Sequence, residues 1–161
     1  MRLFLLTVMC LMLAVGACAA PTAPYVPQET RVALLPVVGS TSGNLADEAV
    51  SSARVSLGRQ FVGRGFKVVP APAVMAALDS LKMTLTPQAP PTPEALTKIG
   101  AAVNARLVVF AVVTPTGVKV WVWDTKTRAF VVDGIGSVGT PQAAVKAALA
   151  EFLRPYDAYD C

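Results

Sequence analysis

The stretch RLVVFAVV, Arg106–Val113, constrains the architecture most, because it is apolar without alternation over the full length of a strand. A strand with one wet face alternates, whereas one that does not must be covered on both faces, as happens inside a sheet with helices above and below. A second such run, RVALLPVV at Arg31–Val38, is bounded by Thr30 and by Gly39-Ser40-Thr41 and reads as another buried strand. Two doubly covered strands demand helices, and the intervening sequence supplies them.

A polar loop, Ser40–Asn44, leads to a helix over about Leu45–Arg64. Asn44 can cap its start, Asp47 and Glu48 suit the positive end of its dipole, and Gly65 ends it. Val50, Ala53, Leu57 and Phe61 form its apolar stripe. Phe66–Val69 reads as a short strand and Pro72–Leu81 as a second helix facing inward with Val74, Leu78 and Leu81. TPQAPPTP, Thr86–Pro93, has four prolines in eight residues and can only be a surface excursion. Thr92-Pro93-Glu94 then opens a third helix, with Leu96, Ile99 and Val103 buried and Asn104 closing it.

Beyond RLVVFAVV the character changes. After a turn at Thr114–Gly117, Val118–Asp124 alternates strictly, with Val118, Val120 and Val122 on one face and Lys119, Trp121 and Trp123 on the other. Thr125–Arg128 turns again, Ala129–Val138 forms another strand, and Thr140-Pro141 starts a last helix that buries Ala144, Val145, Ala148, Leu149 and Phe152. The order β-α-β-α-α-β-β-β-α predicts an α/β fold with one mixed five-stranded sheet covered by helices. Its first three strands are parallel through right-handed crossovers, and its last three form an antiparallel meander.

The amino terminus predicts export. Arg2 precedes Leu3–Val15, an apolar stretch of 13 residues, too short for a membrane span of about 20 residues and suited to the core of a secretory signal. Two processing routes are open. A general signal peptidase can cut after small residues in Ala17-Cys18-Ala19-Ala20 and release a soluble periplasmic protein. Alternatively, Val15-Gly16-Ala17-Cys18 is similar to the bacterial lipobox, whose cysteine receives a diacylglyceryl group and an N-linked acyl chain such as palmitate. Several chains on one residue anchor stably, each buried CH₂ contributing about 0.8 kcal/mol. The following AAPTAPYVPQ, Ala19–Gln28, resembles a semi-extended tether and favours the anchor. Ala19 in place of aspartate resembles the signal for sorting to the outer membrane. The expected organisation is a signal peptide over 1–17, a tether over 18–29 after lipidated Cys18, a domain over 30–154 and a flexible tail over 155–161.

The residue inventory argues against catalysis. The formal net charge of +4 falls to +3 once Arg2 leaves, and the charges are scattered singly, so the sequence carries no electrostatic footprint for nucleic acid. Histidine is absent, which removes Ser-His-Asp and Cys-His arrangements and makes a metal site improbable. GIGSVG, Gly134–Gly139, matches the dinucleotide fingerprint letter for letter, but only 22 residues follow it, with no second strand among them. Its glycines instead predict a bulge or close packing before a helix cap. Asp124 and Asp133 read as solvated turn residues, and Cys161 has no internal disulfide partner by either processing route. No enzymatic activity, cofactor or metal is expected. The candidate partner-binding residues are Trp121, Trp123 and Lys119, because their strand face is either covered by a helix or left as an apolar patch.

RVALLPV, GRGFKVVP at Gly63–Pro70, IGAAVNARLVVFAVV at Ile99–Val113 and the following VKVWVWDTKTRAFVVDG resemble a group of bacterial envelope proteins. The pattern is similar to the TolB amino-terminal-like domains and their lipoprotein relatives, among them curli-secretion lipoproteins and lipoprotein activators of penicillin-binding proteins. The resemblance spans roughly residues 30–139. Val37 and Phe110-Ala111 depart from the phenylalanine and glycine common in those relatives, and no long apolar hairpin of a pore-forming kind is present. It implies a lipid-anchored envelope protein that binds an envelope protein partner. The alternative it implies is a periplasmic subunit of an oligomeric transport or secretion assembly.

Overall fold

The computed structural model describes residues 23–40, 44–137 and 139–157. Cys18, the signal segment and Cys161 lie outside them. Six strands and four helices follow in the order β1 (Arg31–Leu34), β2 (Val38–Gly39), α1 (Asn44–Val62), β3 (Lys67–Val68), α2 (Ala71–Ser80), α3 (Pro93–Ala102), β4 (Leu107–Thr114), β5 (Gly117–Asp124), β6 (Ala129–Gly136) and α4 (Pro141–Leu153), with a 3₁₀ turn over Arg154–Tyr156. The sheet order is β3-β1-β4-β5-β6, with β2 alongside β4. β1 pairs parallel with β3 and β4, while β4, β5 and β6 form an antiparallel meander. The mixed α/β sheet is therefore the one expected.

One difference is local. The expected first strand is split at Pro36 into β1 and β2. Leu34 lies opposite Val109 and Val38 opposite Val112, so the first strand spends one residue more than β4 across the gap. Pro36 has no N–H to give a ladder, and a bulge is where a sheet tolerates it. The extra residue inverts the alternation. Leu34 and Val37 join one core, and Leu35 and Val38 pack with the other.

Two cores sandwich the sheet. One face, with Val32, Val109, Val118, Val120 and Val122, packs against Leu57 and Phe61 of α1 and Val145 and Leu149 of α4. The other, with Ala33, Val108, Phe110 and Trp123, packs against Val74 and Leu78 of α2 and Leu96 and Ile99 of α3. β4 is buried along seven of its eight residues, as its lack of alternation requires.

Local signals fix the helix ends. Thr92 and Thr140 accept hydrogen bonds from the N–H groups of Ala95 and Ala143, each followed by a proline in the first turn. α1, α2 and α3 close alike, on Gly65, Lys82 and Asn104 with φ of 83°, 51° and 51°. At each, the next residue's N–H reaches back five residues, as Phe66 does to Phe61 O at 3.1 Å.

The expected boundaries at residues 30 and 154 fall inside packed structure. Tyr25, assigned to the tether, is buried in the core, and Tyr156, assigned to the tail, packs against it with ring centroids 6.5 Å apart. An aromatic side chain set among prolines and small residues has an apolar surface to bury, and it finds the open end of the core between α1 and α4.

Candidate functional site

The helices do not cover the two faces equally. α1 and α4 together span one face from β3 to β6, while on the other α2 lies against β1 and α3 against β4 and the Trp123 end of β5. Among the described residues, nothing covers the Lys119–Trp121 side of β5 or the matching side of β6. Register brings Lys119 opposite Ile135, Trp121 opposite Asp133 and Trp123 opposite Phe130, with a bulge after Val122. Ile135 is 63 % exposed, and Phe130 and Val131 are also exposed.

The three sequence candidates separate here. Trp121 is half-buried, its ring stacked on Phe110 at 5.7 Å with the outer face toward the bare sheet. Lys119 is exposed beside it. Trp123, in contrast, is buried: its indole N–H donates to Thr97 Oγ1 at 3.2 Å and its ring meets Phe130 edge-on at 4.9 Å. A tryptophan with its one donor satisfied and its ring enclosed supports the core rather than presenting a surface.

Opposite this patch, the glycines of GIGSVG bring α4 onto the sheet. A Cβ on Gly134 would sit 2.6 Å from Ala148 O, and one on Gly136 would overlap the carbonyl of Ala144. Close helix approach, not a phosphate cradle, accounts for both.

The sequence reading of Asp124 as a solvated turn residue is corrected. Asp124 is 1 % exposed at the end of β5. Its Oδ2 accepts from the Tyr25 hydroxyl at 3.0 Å and from Arg106 at 3.2 Å, and its Oδ1 from the Lys126 N–H at 2.8 Å. The Arg106 guanidinium also lies over the Tyr25 ring, 4.6 Å from its centroid. Burial opposes ionisation, but the Lys126 N–H, Arg106 and Tyr25 outweigh it and hold the carboxyl below the ordinary aspartate range. The same burial, followed by the bond to Asp124 and its charge, pushes the Tyr25 hydroxyl well above the ordinary phenol range. All acceptor positions of this carboxylate face donors, so it is a structural joint without a free proton to exchange. The D-x-x-T turn, in which Asp124 bonds its own backbone two residues on, is the available sequence signal. Asp133 stays on the exposed face opposite Trp121.

Among the described residues, no three His, Cys, Asp or Glu side chains are placed to hold a metal. An apolar recess of about 460 Å³ between α1, α2 and the Pro36 bulge has Arg54 as its one charged lining residue among the described residues. It offers shape without a set of converging polar groups. No helix in the described residues is long and apolar enough to cross a membrane.

No family model matches the chain, and no curated protein does. Solved structures do. The chain is similar to the LpoB C-terminal domain from Escherichia coli, at 21 % identity and TM-score 0.51, over 78 % of this chain and 90 % of that one. The NMR structure of E. coli LpoB matches at 22 % identity and TM-score 0.53, over 69 % and 57 %. Lipoprotein GNA1162 from Neisseria meningitidis matches at 16 % and 0.51, over 65 % and 76 %. At these identities the likeness is one of fold.

Proposed function

We propose that this protein is a lipid-anchored, non-enzymatic component of the bacterial cell envelope whose domain docks another envelope protein on the bare β5–β6 half of its sheet. The observation that carries the reading is the position of Trp121, with Phe130 and Ile135 on the same uncovered surface and Lys119 and Asp133 between them. A half-buried tryptophan held by stacking on Phe110 is a rigid anchor that loses little conformational freedom on binding. Charges among apolar side chains give such a patch register and discourage non-specific association. The lipobox-like Val15–Cys18, the alanine after it and the fold shared with the lipoprotein GNA1162 and with LpoB support the anchor at Cys18 and an outer-membrane location.

The test has two arms. Growth with an alkyne fatty acid labels the wild-type protein and leaves Cys18→Ser unlabelled; equal labelling removes the anchor. A photo-crosslinking residue at 121 or 135 gives a discrete adduct in cells, while one at Ala150 on α4 gives none. Absence of an adduct from both sheet positions removes the docking face. An adduct the size of two copies of this chain replaces it with self-assembly.

A further inference from the structure

The two ends of the sheet differ in charge, and the amino-terminal segment leaves from the basic one. Register places Arg31, Lys67, Arg106 and the β5–β6 turn with Lys126 and Arg128 at one end of the strands. The Tyr25–Asp124 and Tyr25–Tyr156 contacts bring Ala23, the first residue described, and the Arg154–Tyr156 turn to that same end. Arg31, Lys67, Lys126, Arg128 and Arg154 are exposed there, and among the described residues none is in an ion pair. Of the acids at this end, Asp124 is buried on Arg106 and Asp157 is paired with Arg64, whereas Glu29 and the last-turn acids Asp79 of α2 and Glu151 of α4 are exposed and are outnumbered by the cations. The opposite end carries Asp47 and Glu94 in the first turns of α1 and α3.

Helix dipoles explain part of this polarity, since helices α1 to α4 end at the basic side and favour cations there. They do not explain Arg31, Lys67, Lys126 and Arg128, which sit on strand ends and in a hairpin turn. Two apolar side chains stand among these cations: Val26, 53 % exposed, and Val62, 59 % exposed. Cations mixed with exposed apolar side chains suit the boundary between headgroups and acyl chains.

We infer that this end is a membrane-binding face: Arg31, Lys67, Lys126, Arg128 and Arg154 meet anionic phospholipid headgroups, and the sheet stands with its strands along the membrane normal. The inference rests on the proposed anchor for its setting. Tyr25 follows Cys18 by seven positions, so an anchored domain stays within about 25 Å of the bilayer. The face itself does not need the lipid, which allows the two ideas to be tested apart.

The protein used is the full chain with Cys18→Ser. It should co-sediment with phosphatidylcholine vesicles containing phosphatidylglycerol, detach as salt rises, and ignore pure phosphatidylcholine. Lys67→Glu with Arg128→Glu, at opposite edges of the face, should weaken binding by about tenfold or more. Lys98→Glu with Lys146→Glu, the same charge change elsewhere, should leave it unaltered, and matching thermal transitions exclude unfolding. Equal binding to both vesicle types, or equal weakening by both pairs, overturns the face. Equal fatty-acid labelling of the wild type and Cys18→Ser, with vesicle binding intact, would overturn the anchor alone. Binding to a soluble polyanion as tight as to the vesicles would also overturn the face and assign the end to an acidic partner.

Discussion

Tyr25 and Asp124 are 99 residues apart in the chain, and the tyrosine hydroxyl donates to Asp124 Oδ2 at 3.0 Å. This bond fastens the amino-terminal segment to the hairpin end of the sheet, with Phe152 and Tyr156 against the other side of the ring. Tyr25→Phe keeps the ring and removes a hydrogen bond to a charged acceptor, which should cost about 2 kcal/mol. Tyr25→Ala also empties the space between Phe152 and Tyr156 and should cost about 3–5 kcal/mol. Urea unfolding of the two variants measures both.

The same pair sets the pH limits. Asp124 titrates lower in the folded protein than its ordinary value of 3.8, so its contribution is complete above that value and is lost as pH falls below it. Asp124→Asn should flatten the acid side of a stability–pH curve while lowering stability at neutral pH. Tyr25 titrates higher than its ordinary value of 10.0, so its contribution is complete below pH 10 and is lost as pH rises beyond it. Tyr25→Phe should reduce that alkaline loss without abolishing it, because burial raises Tyr156 as well.

Gly136→Ala places a methyl against the Ala144 carbonyl of α4 and should destabilise by about 1–3 kcal/mol. Nothing lies within 4 Å of a Cβ on Gly139, where alanine should change stability by less than about 0.5 kcal/mol. Thermal denaturation of the two single variants separates packing from phosphate binding, for which both glycines of a fingerprint would matter.

The tryptophans should divide stability from recognition. Trp123→Ala removes a buried ring and the partner of Thr97, for about 3–5 kcal/mol. Ile135→Asp, at a position exposed on the bare face, should leave the unfolding midpoint within a few degrees and abolish crosslinking from residue 121.

What the sequence reveals divides along the same line as local and distant causes. RLVVFAVV announces burial on both faces because a missing alternation is a property of eight adjacent residues. Thr92-Pro93 and Thr140-Pro141 announce helix starts for the same reason. Tyr25 is invisible as a core residue, because its partners Asp124 and Tyr156 are more than ninety positions away and its neighbours look like a tether. Asp124 reads wrongly because a turn aspartate is ordinarily wet, and only Tyr25 and Arg106 together bury it. The bare half-sheet is half legible. Alternation puts Lys119, Trp121 and Trp123 on one face, but which of them a helix covers depends on where α3 lands, and it lands over Trp123.

The strap from Ala23 to Thr30 also has a mechanical meaning. Tension applied to the amino terminus, as when a docked partner moves relative to the membrane, first meets the Tyr25 joint and only then β1. β1 lies between β3 and β4 in the sheet, and such a pull runs along its axis, so its ladder is sheared as a whole rather than peeled bond by bond. Forced unfolding then depends on a rate that several simultaneous hydrogen bonds slow. The proposed anchor at Cys18 would load the domain from the end that resists being pulled.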